Sequence, residues 1–148
     1  MTRKWIRAVS AGAASLAILA AAASPSFAQT AAEPLKAQLV GHWRLVSADV
    51  GGVEPFGADP QGSMFFDAGG HFSVVVVGPT NAIAYFGEYT VDDAAGAATM
   101  HVDASTRQAL VGRDARRLIS LSGDRLTVRN DKPAGSPGAV ALTWERAN

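Results

Sequence analysis

The sequence predicts an all-β architecture: an eight-stranded antiparallel up-and-down β-barrel, preceded by a short helical turn and a cleavable signal peptide. Three observations lead there. Beyond residue 40 the chain is a succession of short alternating runs, punctuated by Gly, Pro, Asn and Asp. Most neighbouring runs are close enough to be hairpins. The 148 residues include no cysteine, so packing alone must hold the fold, and closing the sheet removes the edges that an open one would have to protect. Eight strands close around a space just wide enough for their own side chains or one small ligand.

The first 28 residues stand apart. Arg3, Lys4 and Arg7 precede an Ala-rich apolar run from about Ala8 to Ala23, then Pro25, then Ser26-Phe27-Ala28 with small residues at a cleavage-site spacing. The run is shorter than the roughly 18 to 20 residues of a spanning helix. Residues 1–28 are therefore read as a signal peptide and 29–148 as one barrel domain, exported to the periplasm or secreted and not integral to the membrane after cleavage. The leader has no Cys to carry a lipid and no Arg-Arg pair. The whole chain balances 13 basic against 13 acidic residues. Removing a leader whose charges are all basic leaves a small acidic excess, which argues against a nucleic-acid partner.

Residues 30–38, TAAEPLKAQ, form the helical lead-in, with Pro34 suited to its first turn. The first strand follows, with Trp43, Leu45 and Ser47 on one face. Residues 50–62 hold Gly and Pro throughout and read as a loop. Strands at 63–67 and 72–77 flank the tight turn Asp67-Ala68-Gly69-Gly70. Strand 84–91 places Tyr85, Gly87, Tyr89 and Val91 together, and 97–105 returns after a turn. A loop over 106–112 leads to strand 116–121, with Arg117, Ile119 and Leu121 on one face. Strand 125–129 alternates Leu126 and Val128 with Arg125, Thr127 and Arg129, a half-buried pattern. The loop 130–138 precedes the last strand, 140–146, whose Val140, Leu142, Trp144 and Arg146 share a face.

First and last strands are neighbours in an up-and-down barrel. Trp43 then lies near Arg146, and a guanidinium can stack on an indole while donating to carbonyls of the lead-in. Two readings stay open: this pair plugs one end, or Trp43 is an ordinary core residue and Arg146 a solvated terminal charge. Gly41-x-Trp43 at the start of the first strand, with an Arg near the chain end, resembles the lipocalin and calycin signature. The stretches LVGHWRLVSADV (39–50), PFGADPQGSMFF (55–66), AYFGEYTVDDAAG (84–96), HVDAS (101–105) and LTWER (142–146) resemble the lipocalin-like domain family of bacteria and fungi, from about residue 37 to 146. The resemblance implies a small antiparallel barrel whose interior has room for an apolar small molecule, and it implies no reaction. Asp103 stands where Glu is commoner in that family.

Candidate chemistry is sparse. His101, Asp103 and Ser105 alternate on one strand. Either they face water while Met100, Val102 and Ala104 face the core, or they face the cavity, with Arg117 and the Tyr85/Tyr89 pair joining them and a cation balancing Asp103. Projecting in parallel, they cannot form a Ser-His-Asp relay, and no Gly-x-Ser-x-Gly is present. His42, His71 and His101 form no metal-ligand spacing, so neither a metal nor any other cofactor is expected. Runs of about five to eight residues, carrying Arg44, Glu88, Arg125 and Arg129 on their outer faces, do not suit an outer-membrane barrel.

The leading expectation is an exported barrel that binds a small apolar or amphipathic molecule. Leu45, Phe72, Val74 and Val76 would line it from the first half of the chain, Tyr85, Tyr89, Ile119 and Leu121 from the second. Arg117, joined by His101, would set the ligand's polarity. One alternative is a small-barrel enzyme of isomerase or cyclase type using His101, with Asp103 beside it. Another is a filled barrel acting as an interaction or stress protein.

Overall fold

Alternation along each strand sends one side chain inward and the next outward, and the sheet closes on itself in the computed structural model, which describes residues 32–148. The signal-peptide expectation lies outside those residues. Helix α1 (Leu35–Leu39) leads into β1 (Gly41–Val50). Then come β2 (Gln61–Phe66), β3 (His71–Val77), β4 (Ala82–Asp92), β5 (Ala97–Ser105), a 3₁₀ turn (Gln108–Leu110), β6 (Asp114–Ser122), β7 (Arg125–Arg129) and β8 (Val140–Arg146). Each strand pairs antiparallel with the next, and β8 returns to β1, closing the barrel in sequence order. The predicted eight-stranded up-and-down barrel is the fold.

Two ends differ. α1 and the β2–β3, β4–β5 and β6–β7 turns gather at one; the loops at 51–60, 78–81, 106–113 and 130–139 gather at the other, the mouth. From the mouth, Phe56 reaches back into the core, and Leu110 of the 3₁₀ turn packs against it. No helix among the described residues is long and apolar enough to cross a membrane.

Alternation fails at two bulges, and both move side chains across the wall. In β1 the register with β8 slips between Leu45 and Ser47, so Val46 is the extra residue. Ser47, expected beside Trp43 and Leu45, is exposed, and Ala48 is buried in its stead. In β5 the pairing passes from Phe86↔Ala104 to Gly87↔Val102, leaving Asp103 unopposed. Beyond that bulge Ser105 pairs with the inward Tyr85, so it leaves the face of His101. Gly87 makes the bulge feasible: a Cβ there would stand 1.9 Å from the His101 carbonyl oxygen.

Candidate ligand-binding site

The closed end is built first from sequence neighbours. Trp43 is fully buried, and its indole N–H donates to the Leu39 carbonyl at 2.8 Å, across the α1–β1 junction. Arg146 lies opposite Trp43 in the β1–β8 register, with its guanidinium 4.3 Å from the indole ring centre. It donates to the carbonyls of Val40 (3.1 Å) and Gln38 (2.8 Å). Gly41 has φ +134°, and a Cβ there would come within 3.0 Å of the Arg146 guanidinium. Trp43 and Arg146 are thus joined as a plug, and the solvated-terminus reading of Arg146 gives way to it.

Above the plug, the expected lining divides into two groups. Leu45, Phe72, Val74, Val76 and Tyr89 point inward but are sealed, at most 3 % exposed. With Met64, Phe66, Met100, Val102 and Leu126 they form a packed core. Tyr89 belongs to the closed end, where its hydroxyl donates to the Asp67 carbonyl at 2.7 Å. Its pKa is raised, first by burial and then by the Asp67 charge. By contrast, Tyr85, Ile119 and Leu121 pack against the core yet remain partly exposed, as do Ile83, Ala115 and Leu142. Arg117 shares the inward phase of Ala115, Ile119 and Leu121 on β6 and is likewise half-buried.

Arg117 pairs in register with Ala98, whose small side chain leaves it room. Among the described residues no carboxylate forms an ion pair with it; the arginines so paired are Arg44, Arg125 and Arg146. Among the described residues it donates only to the neighbouring Arg116 carbonyl, at 3.1 Å. Burial raises the Tyr85 pKa, and Arg117 opposes that rise, which puts the guanidinium within electrostatic reach of the phenol. The Tyr85 ring meets Phe72 edge-on at 5.9 Å.

His101 and Asp103 lie on the outer face, each about half exposed. The cavity-facing reading of this pair is therefore corrected: alternation from the buried Met100 and Val102 turns His101 outward. Arg117 faces the other side of the wall and cannot join them. The partner of His101 is Asp114, opposite it on β6, with Nδ1 donating to Oδ1 at 2.6 Å. That hydrogen bond raises the His101 pKa, with lesser help from the Asp103 and Glu88 charges. The isomerase or cyclase reading loses its interior acid/base. The described residues hold no cluster of three or more His, Cys, Asp or Glu able to bind a metal.

Sequence reasoning missed Asp114, since a strand read alone shows its own alternation and not its neighbour across the ladder. It also missed Trp144. This indole is 1 % exposed, between Leu45 and Leu126 in the β-ladder, and its N–H has no hydrogen-bond partner. The signal was the requirement that every buried indole find an acceptor; for Trp43 the lead-in supplies one, and for Trp144 nothing nearby in sequence does.

Concavities on the wall are external. One of about 640 Å³ runs over outward His42, Phe65, Ser73 and Phe86 near the closed end. Another of about 440 Å³ lies over Glu88, Thr90, Thr99, His101 and Asp114.

None of the curated proteins matches the chain. Residues 78–147, which hold β4 to β8, match the family described as a lipocalin-like domain. The resemblance read from the sequence spans a longer stretch and names the same family. Five of the eight strands lie inside that match and the other three complete the same closed sheet, so residues 78–147 belong to the lipocalin-like domain family within a closed eight-stranded barrel.

Proposed function

We propose that this protein is exported and binds a small amphipathic molecule inside the barrel, against β6. Barrels of this fold commonly hold small hydrophobic ligands. The observation that carries the reading is the inner row of β6. Ala115, Arg117, Ile119 and Leu121 are partly exposed, whereas the inward Trp43, Leu45, Met64, Phe66, Phe72, Val74 and Val76 of β1 to β3 are buried. A mostly apolar surface with one polar anchor suits such a ligand. The basic, apolar, small-residue order of residues 1–28 supports export.

Native mass spectrometry of protein purified from its own cell envelope tests both parts. The expected mass is that of a chain beginning at Gln29 plus a small-molecule adduct, and Ile119→Trp, which fills the accessible side, removes the adduct. A bare chain that also takes up no dodecanol overturns the binder. That result would favour the second reading, a filled barrel acting through its surface, for which the sealed core of β1 to β3 speaks.

A further inference from the structure

We infer that the ligand is an elongated monoanionic amphiphile. Its acid group sits on Arg117, its apolar body runs over Ile119 and Leu142, and a hydrogen-bond acceptor near its far end meets the Trp144 indole N–H. The inference rests on the binding role proposed above and names the chemistry of that site.

The ladder sets the order of these groups. Leu121, Leu126 and Trp144 form one inward row across β6, β7 and β8. Ile119, Val128 and Leu142 form the next row toward the mouth. Arg117 begins the one after, two residues further along β6. Each two-residue step rises roughly 6.6 Å, so the guanidinium's row and the indole's row lie about 13 Å apart along the strands. Between them the exposed part of the wall is apolar: Ile119 and Leu142 pack on the core and remain partly open.

Each end has an unmet requirement. An inward guanidinium with no carboxylate partner among the described residues offers most of its donor fork, which matches a carboxylate. At the other end a buried indole N–H without an acceptor is costly, and a ligand oxygen would relieve it. A purely apolar guest would leave both requirements unmet, and a short anion would satisfy only one.

Isothermal titration of the purified protein with dodecanol, dodecanoate and 12-hydroxydodecanoate at pH 8 tests this. Dodecanoate is expected to bind at least tenfold tighter than dodecanol. Arg117→Met erases that preference, while Arg117→Lys keeps most of it. Trp144→Phe weakens 12-hydroxydodecanoate at least fivefold and dodecanoate less than twofold. Far-UV circular dichroism and a cooperative urea transition show that each variant still folds. As a readout on the unmutated chain, the Trp144 indole proton resonance moves downfield with the hydroxy acid and not with dodecanoate. Equal affinity for acid and alcohol overturns the anionic head while leaving a barrel that binds apolar guests. A Trp144→Phe loss equal for both acids, or an unmoved indole resonance, overturns the deep acceptor. Failure of all three compounds to bind overturns the binding role itself and this inference with it.

Discussion

The closed end and the β6 wall face the same interior and are built on opposite principles. At the closed end every polar requirement is met within the chain. The Trp43 N–H has the Leu39 carbonyl, the Arg146 fork has the carbonyls of Gln38 and Val40, and the two side chains stack on each other. At the β6 wall Arg117 has no carboxylate among the described residues, and the Trp144 N–H, two rows below, has no acceptor. Among the described residues there are thus two buried tryptophans and two inward arginines, one of each satisfied and one of each not. Stability resides where the groups are satisfied, and the proposed recognition falls where they are left available.

The largest expected effect lies at the plug. Trp43→Ala removes a fully buried indole and the surface on which Arg146 rests, and should cost about 3–5 kcal/mol in urea unfolding. A loss under about 1 kcal/mol would erase the contrast between the two regions. Arg146→Met keeps much of the packing but leaves the Gln38 and Val40 carbonyls unpaired, for an expected loss of about 2 kcal/mol in the same measurement. Ile119→Ala, on the partly open wall, should cost about 1 kcal/mol, well below the full price of a sealed isoleucine. Should it match Trp43→Ala, the wall is as closed as the plug.

The smallest effect belongs to the outer face. The folded pKa of His101 lies above its ordinary 6.5, so its hydrogen bond to Asp114 stabilises fully below the unfolded value. That contribution fades as the pH rises through the folded value. An NMR titration should find His101 protonated at higher pH than a free imidazole, and Asp114→Asn should bring it back down. Thermal melts of wild type and His101→Gln should differ more at pH 6 than at pH 8. An unchanged titration in Asp114→Asn would remove Asp114 as the cause.

Most of the fold was legible because its signals are local. Alternation located all eight strands, and the turn Asp67-Ala68-Gly69-Gly70 fixed a hairpin. The plug was legible because barrel closure makes first and last strands neighbours, which turns two distant residues into a pair. What alternation cannot show is where it is interrupted. The extra residues Val46 and Asp103 sent Ser47 outward and parted Ser105 from His101. The Gly87 that accommodates the second bulge reads in sequence as one more inward position. The candidate site was only half legible. Tyr85, Arg117, Ile119 and Leu121 follow from periodicity, but whether an inward side chain is sealed depends on what packs across the barrel. Leu45, Phe72, Val74 and Val76 carry the same pattern and are closed off by one another.

Closure by β8 has a consequence for how the chain is made. Seven of the eight seams join strands adjacent in sequence and can zip as soon as each hairpin emerges; the eighth joins Trp43 to Arg146. That seam must wait for the final strand to arrive, and it carries the longest loop-closure penalty in the fold. Until then β1 and β7 are raw edges, able to recruit a strand from another nascent copy. The arginine that comes last therefore acts as a latch, and it ends the interval in which the growing sheet is open to its neighbours.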